Sequence, residues 1–341
     1  MAWNPGQKLQ NGKYTIEKVL GQGGFGIAHL VKNKKGNLLV IKTLKHFLQH
    51  QHDFDKFQQD FLNEAVRLAK FNHPHIVKID EVIQEDGLWC IVMEYIAGES
   101  LAHRVWRKGA MPETEAWRYI QQIGDALTLV HNNGLLHRDV KPLNIMLRSC
   151  KNADVVTSEM EGVFEAVLVD FGIAREFTPD ITQTQTEFCS SGFAPIEQYD
   201  WRSKRGAYTD VYSLAATLYT LLTAQVPTPS PMRAYGMQLI PPKQINSLLG
   251  DRTNYAIVKG MALKPEDRPQ SVQEWLALLG ILPPRNANAS PLVQLQERLR
   301  EAQENKLKGS DEWRERFRKA QEDRLKDNHN WRDRLRKACQ K

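Results

Sequence analysis

Two periods of apolar spacing divide the 341-residue chain. In the first third, residues 14–20, 27–31 and 38–42 are rich in β-branched side chains or alternate apolar with polar. Gly and Asn turns separate them, and they predict three strands. Around residues 54–71 the period lengthens, and Phe57, Phe61, Ala65, Leu68 and Ala69 fall on one helical face. Residues 88–93 form an apolar run of strand length. Beyond Gly98 helices dominate. Pro112, Glu113 and Glu115 suit a first helical turn, and Asn132-Asn133-Gly134 suits its end. Residues 210–222 are nearly all apolar, which predicts a helix buried on every side, and residues 272–279 predict another. A small mostly-β part followed by a larger mostly-α part predicts an α+β fold of two lobes with a cleft between them.

The C-terminal part is built differently. Trp313-Arg314-Glu315-Arg316-Phe317 recurs as Trp331-Arg332-Asp333-Arg334-Leu335, with a weaker copy starting at Leu295. The steps are 18 residues, five turns of a continuous α-helix. Gly309-Ser310 and Asn328-His329-Asn330 favour breaks with fresh N-caps. The division expected is a domain over 14–280, a linker over 281–290 and a basic helical repeat tail over 291–341. Of the net charge of +6, residues 286–341 carry +5, with 15 Lys+Arg against 10 Asp+Glu. The main body is nearly neutral, which argues against a specific nucleic-acid surface there.

Composition narrows the class further. With 25% charged and 41% apolar residues, disorder throughout is excluded. No apolar run approaches the ~20 residues of a membrane-spanning helix. The longest candidate, 214–224, is broken by Thr217, Tyr219, Thr220 and Thr223. The N-terminus lacks the charged and apolar regions of a secretion signal. Four cysteines (Cys90, Cys150, Cys189, Cys339) without a CxxC pair exclude a disulfide scaffold and a zinc ribbon, and suit a reducing, cytoplasmic setting.

Candidate chemistry gathers in a few short segments. Gly21-Gln22-Gly23-Gly24-Phe25-Gly26 lies between two strands, where bare backbone N–H groups can approach phosphate oxygens. The pattern alone serves a plain glycine-rich hairpin as well, and no helix follows it as a dinucleotide fold requires. Lys42 follows an apolar strand, where a cation needs an anion, and Glu64 is a candidate partner. His137-Arg138-Asp139-Val140-Lys141-Pro142-Leu143-Asn144 packs an acid, two cations and an amide oxygen into one loop. Asp170-Phe171-Gly172 follows another apolar run. An Asn and an Asp from two loops supply hard oxygen ligands of the kind Mg²⁺ accepts beside substrate phosphates. His46, His50 and His52 have no acid or cysteine at ligand spacing and read as a solvated loop. Cys189 reads as a small inert side chain.

In this order the motifs resemble the eukaryotic-type serine/threonine protein kinase family as found in bacteria, cyanobacterial members among them. The match continues through Glu197 in Pro195-Ile196-Glu197, Asp210 in Asp210-Val211-Tyr212-Ser213 and Arg268 in Pro265-Glu266-Asp267-Arg268-Pro269. The resemblance implies ATP as phosphoryl donor with Mg²⁺, Mn²⁺ being a substitute, and Ser or Thr hydroxyls on proteins as acceptors. It implies that Lys42 holds phosphates and pairs with Glu64, that Asp139 orients the acceptor hydroxyl and that Lys141 neutralises the transferred group. It assigns Asn144 and Asp170 to the metal. Leu20, Ala28, Val40 and Met146 would sandwich adenine beside Ile27, with Met93, Glu94 and Ile96 at the gatekeeper and hinge. Arg138 implies control by a phosphate on Thr182, Thr184 or Thr186, upstream of Ser190 beside the acceptor. Departures are Ala28 for Val, Ile196 for Pro, Ser190 for Thr, Ala215 for Gly, and a longer Asn144-to-Asp170 interval with a polar loop over 150–165. A pseudokinase scaffold and a small-molecule phosphotransferase are the rival readings. For the tail the resemblance is silent. Its narrow apolar stripe among arginines suits loosely packed solvated helices, or docking to an acidic protein, to anionic lipid or to the kinase domain itself.

Overall fold

The computed structural model describes residues 3–22, 26–45, 54–149, 164–170, 192–200 and 202–281. The histidines at 46, 50 and 52, residues 150–163 and the repeat tail lie outside the described residues. The first compact unit ends at Ile281.

Its N-terminal lobe is a six-stranded antiparallel sheet in the order β1 (Lys8–Leu9), β2 (Tyr14–Gln22), β3 (Gly26–Asn33), β4 (Leu38–Leu44), β6 (Leu88–Glu94), β5 (Ile79–Glu85). The three strands expected over 14–42 are present and run two to three residues longer. Helix α1 (Phe54–Leu68) connects β4 to β5 and ends three residues short of Phe71. It buries Phe61, Leu62, Ala65 and Leu68, and the side chain of Phe57 lies outside the described residues. One sheet face closes over Leu9, Ile16, Val31, Ile41, Leu88 and Val92, and Trp3 packs into the same core. Residues ahead of Tyr14 therefore belong to this lobe's packing.

Strands β1 and β5 have no counterpart in the sequence reading. In β5, Asp80 and Glu81 interrupt the apolar alternation, and pairing with β6, apolar from Leu88 to Met93, holds the strand. Helix α2 (Leu101–Lys108) was also not anticipated, because only Leu101 and Val105 are buried. Its N-cap is nevertheless legible, since Ser100 accepts the His103 N–H.

The C-terminal lobe packs α3 (Glu113–Asn132), α4 (Ala207–Thr223), α5 (Ser230–Ala234), α6 (Pro242–Ile245), α7 (Asp251–Gly260) and α8 (Val272–Leu279). Every residue from 209 to 223 is buried, as the near-continuous apolar pattern of α4 predicts. Ala215, where the family favours Gly, touches the bare Cα of Gly260. A Cβ on Gly260 would come within 2.7 Å of the Ala215 Cβ. Helix α8 ends in a left-handed Gly280 (φ +79°), with the Ile281 N–H bonded to the Leu276 carbonyl.

Two short strands, β7 (Ile145–Ser149) and β8 (Phe164–Leu168), pair with Ile145 opposite Leu168. Strand β8 begins inside the segment read as a polar loop, because Phe164, Ala166 and Leu168 alternate along it. This register matters for function: it brings the residue before β7 beside the residues that follow β8.

Candidate active site

Asn144 and Asp170 of the cleft come from those two strand ends, and Asp139 from the loop ahead of β7. Asn144 precedes β7 and Asp170 follows β8 by two residues. The Val169 N–H donates to the Asn144 carbonyl at 2.9 Å, which ties the two chain ends together. Asn144 is 5% exposed, and its Nδ2 donates to both the Asp139 carbonyl and Asp139 Oδ2 at 2.9 Å. Those bonds fix the amide orientation and turn Oδ1 the other way, as an acceptor. Lys141 Nζ reaches the same Asp139 Oδ2 at 2.9 Å. Asp139, Lys141 and Asn144 thus form one hydrogen-bonded cluster.

The loop carrying Asp139 is anchored from below by α4. Asp210 is wholly buried and accepts the N–H groups of His137 (2.8 Å) and Arg138 (2.7 Å), together with His131 Nε2 at 2.7 Å. Burial alone would raise its pKa, but the His131 hydrogen bond and the neighbouring donors outweigh it and hold the carboxyl below its ordinary value. His137 is buried too, and desolvation lowers its pKa to about 4, so the ring is neutral and its Nδ1 accepts the Asp139 N–H. Arg138 has φ +64°, a left-handed conformation that a non-glycine residue adopts only when its surroundings enforce it. The two bonds to Asp210, and Gln198 Nε2 donating to the Arg138 carbonyl at 2.8 Å, supply that enforcement. Asp170 is the second such residue, at φ +61°.

Lys42 enters from the sheet. It lies opposite Ala28 in β3 and Ile91 in β6, and its Nζ contacts Asp170 Oδ1. Glu64, its expected partner, has its backbone in α1, while its side chain lies outside the described residues. Of the glycine-rich segment, Gly21 and Gln22 pair with Ala28 and Ile27 as a β hairpin. Gly23, Gly24 and Phe25 lie outside the described residues. A Cβ on Gly26 would sit 3.0 Å from the Thr43 carbonyl, so close strand approach requires the glycine.

Of the expected adenine-facing side chains, Leu20 is exposed and Ala28, Val40, Met93 and Met146 are half-buried, whereas Ile27 is buried. Val40 lies opposite Met93 across β4 and β6. Met93, Met146 and Val169 pack on a buried base of Val77, Ile96 and Val167. Leu20 is 41% exposed beside a bulge in β2.

Glu197 and Arg268 are brought together as expected, 2% and 0% exposed, with Nη1 and Nη2 donating at 2.7 and 3.0 Å. The sequence reading missed several supporting groups: His131 and Gln198, which hold the catalytic-type loop, and Arg67 and Arg205. The two arginines join Arg138, His131 and Ala207 around a cavity of about 400 Å³. They lie on three elements distant in sequence, so no spacing rule could have grouped them. Thr182, Thr184, Thr186, Cys189 and Ser190 lie outside the described residues, as do Phe171 and Gly172.

The donor set fits a hard divalent cation. Asn144 Oδ1 and the Asp170 carboxylate are oxygen ligands, and Mg²⁺ completes its shell with water and substrate phosphate. Among the described residues no cluster of three His, Cys, Asp or Glu is present.

Comparison with known proteins agrees. The family model described as protein kinase domain matches residues 14–260. A probable serine/threonine-protein kinase of Clostridium perfringens is 30% identical over 279 residues, covering 78% of this chain and 38% of its own length. The serine/threonine-protein kinase PknB of Mycobacterium leprae is 32% identical over 278 residues, covering 78% and 42%. The chain thus spans less than half the length of these relatives. Among solved structures, the apo form of PpkA-294 superposes with a TM-score of 0.64 at 26% identity, covering 82% of this chain and 99% of that one. The Mycobacterium tuberculosis PknI kinase domain has a TM-score of 0.62 at 23% identity, covering 82% and 99%, and shares the fold. Two lobes, a loop-held Asp139 cluster and a family match over most of the chain converge, and the chain belongs to the protein kinase family.

Proposed function

We propose that the protein transfers the γ-phosphoryl group of ATP to Ser or Thr hydroxyls on proteins. The observation that carries the reading is the Asp139–Lys141–Asn144 cluster beside Asp170 and Lys42. Asp139 accepts and orients the acceptor hydroxyl proton. Lys141, already on Asp139 Oδ2, lies beside the point where charge develops on the transferred group. Lys42 holds the α- and β-phosphates, and exchanges Asp170 for Glu64 as its partner when nucleotide enters. Asn144 Oδ1 and Asp170 would hold the cation, Mg²⁺ with Mn²⁺ as a substitute, since hard oxygen donors suit both. The cation supplies charge neutralisation at the phosphates. Little covalent chemistry is left for the protein, so positioning and electrostatics are its contribution. Main-chain groups of Glu94 and Ile96 hydrogen-bond adenine over Val40, Ala28, Leu20 and Met146.

A pseudokinase scaffold is disfavoured because Lys42, Asp139, Asn144 and Asp170 are all present. A small-molecule phosphotransferase is disfavoured by Glu197 and Arg268, which support the segment where a protein substrate would lie. The basic cavity supports control by phosphorylation. A phosphate on Thr182, Thr184 or Thr186 would meet Arg138, with Arg67 and Arg205 adding positive charge. For the basic sequence over 291–341 we propose docking to an acidic protein or an anionic lipid surface, with contacts that weaken as salt rises.

The deciding experiment incubates the full chain with labelled ATP, Mg²⁺ and a generic acceptor protein. Incorporation into Ser and Thr that disappears in Asp139→Asn supports the reading. Nucleotide binding without transfer supports the scaffold instead.

A further inference from the structure

Arg148 belongs to no motif of the family pattern, yet it joins the two lobes at the hinge. The chain leaves the N-terminal lobe through Glu94, the last residue of β6. Glu94 Oε1 accepts the Lys78 N–H at 2.8 Å, and the Glu94 N–H donates to the Lys78 carbonyl at 3.0 Å. This carboxylate and its own backbone thus grip the segment leading into β5. The other oxygen, Oε2, accepts Arg148 Nη2 at 2.8 Å from β7, in the part of the chain that carries Asn144. The cross-strand partner of Arg148 is Glu165 in β8, but its guanidinium bonds to Glu94. Both side chains of the pair are about one-third exposed, at 32% and 29%.

The backbone beside this pair is tightly constrained as well. The Leu147 N–H donates to the Glu99 carbonyl at 2.8 Å, and Ser100 bridges Met146. A Cβ on Gly98 would lie 1.9 Å from the Leu147 carbonyl oxygen. Main-chain bonds therefore fix the far end of the hinge to β7. At the near end, the Glu94–Arg148 ion pair is the side-chain link that spans from β6 to β7. Between these two fixings lie Tyr95 and Ile96, whose neighbours Met93 and Met146 form the apolar shelf.

We infer that Arg148, acting through Glu94, is a positioning residue that sets the hinge backbone for adenine and so tunes nucleotide affinity without touching the transferred phosphate. The inference rests on the reading of the cleft as an ATP site. It follows from geometry: freeing Glu94 Oε2 lets the near end of the hinge shift relative to β7, and hydrogen bonds to a rigid purine tolerate little displacement. Turnover once nucleotide is bound depends on Asp139, Lys141 and Asn144, which the pair does not contact.

The test is Arg148→Met in the full chain, measured by mant-ATP titration with Mg²⁺ and by steady-state kinetics. The expected result is a rise in nucleotide Kd and in KM for ATP of about 3- to 10-fold, as for loss of one charge-assisted hydrogen bond. The kcat at saturating ATP and the KM for acceptor peptide should stay within about twofold. Arg148→Lys should restore affinity, because only one guanidinium nitrogen reaches Glu94 and an ammonium can replace it. Two outcomes overturn the inference: an unchanged Kd in a folded Arg148→Met variant, or a fall in kcat with Kd unchanged. Failure of the unaltered chain to bind mant-ATP would overturn the ATP reading itself, and the inference with it.

Discussion

The buried ion pair between Glu197 and Arg268 allows an asymmetric prediction. Arg268 donates to both Glu197 oxygens, and also to the carbonyls of Ala262 (2.7 Å), Leu263 (2.9 Å) and Tyr208 (3.3 Å). Its guanidinium also stacks 5.0 Å from the Tyr212 ring centroid. Glu197 has far fewer supports: apart from Arg268 it accepts one bond from Thr209 Oγ1 at 3.0 Å. Removing one partner of a buried pair costs about 3–5 kcal/mol because the other charge is left uncompensated. Here the two halves should not cost the same. In Glu197→Gln the guanidinium keeps three carbonyls and an amide oxygen, so the loss should fall at or below the lower limit of that range, about 2–3 kcal/mol. In Arg268→Met the carboxylate keeps one hydroxyl and three carbonyls lose their donor, so about 4–5 kcal/mol is expected. The double variant should be more stable than the sum of the singles implies, by about 1–3 kcal/mol, since neither charge is stranded. Urea unfolding of the three variants, followed by tryptophan fluorescence, measures all three quantities. Equal costs for the two single variants, or strict additivity in the double, would refute the reasoning.

Other predictions concern the site. Asp139→Asn should lower kcat by about 10²–10⁴-fold with Mg²⁺-dependent nucleotide binding retained, whereas Asp170→Ala should lose both, as paired kinetics and mant-ATP titration will show. Gly98→Ala should weaken nucleotide binding and cost about 1–3 kcal/mol, because its Cβ would collide with a backbone oxygen of β7 and not with a movable side chain. His137 has a folded pKa of about 4 against 6.5 unfolded. The unfolded chain therefore binds the extra proton between these values, and stability that is full above pH 6.5 declines as pH falls toward 4, by about 3 kcal/mol in all. His137→Phe should flatten that part of the stability–pH curve, measured by urea midpoints, and an unchanged slope would count against the assignment.

Wherever one residue type does one local job, the sequence was a sufficient guide. Continuous apolar character in residues 210–222 announced a helix buried on all sides, and α4 is buried from 209 to 223. The acid, amide and cations of the catalytic-type loop are visible because they fall within eight consecutive positions. What stayed hidden depends on contacts distant in sequence. Arg148 looks like any polar residue at a strand end, and its meaning appears only when β7 lies beside Glu94. Arg67, Arg138 and Arg205 are separated by about seventy residues at each step and share a cavity only through the fold. Helix α2 escaped because two buried residues four apart make too narrow a stripe for periodicity to detect.

Strain and support are distributed unevenly around the cleft, and the pattern has a physical logic. Arg138 and Asp170 are non-glycine residues at positive φ, each adjoining a group proposed to act on substrate or cation. Left alone, each conformation would cost about 1–3 kcal/mol. At Arg138 the support is a buried carboxylate, Asp210, on the most deeply buried of the described helices, which accepts two successive backbone N–H groups. Such a carboxylate has to stay ionised to do this; burial works against that, and the groups that lower its pKa, His131 foremost, include the His137 amide it holds. Support and ionisation therefore depend on one another. The loop stays in its strained form while Asp210 is charged, and Asp210 stays charged while the loop is in place. Asp210→Asn would keep the oxygen but offer one acceptor atom and one donor group where two acceptors are needed. One of the two amides would lose its partner, which places the first consequence of that substitution at Asp139 and not in the α4 core.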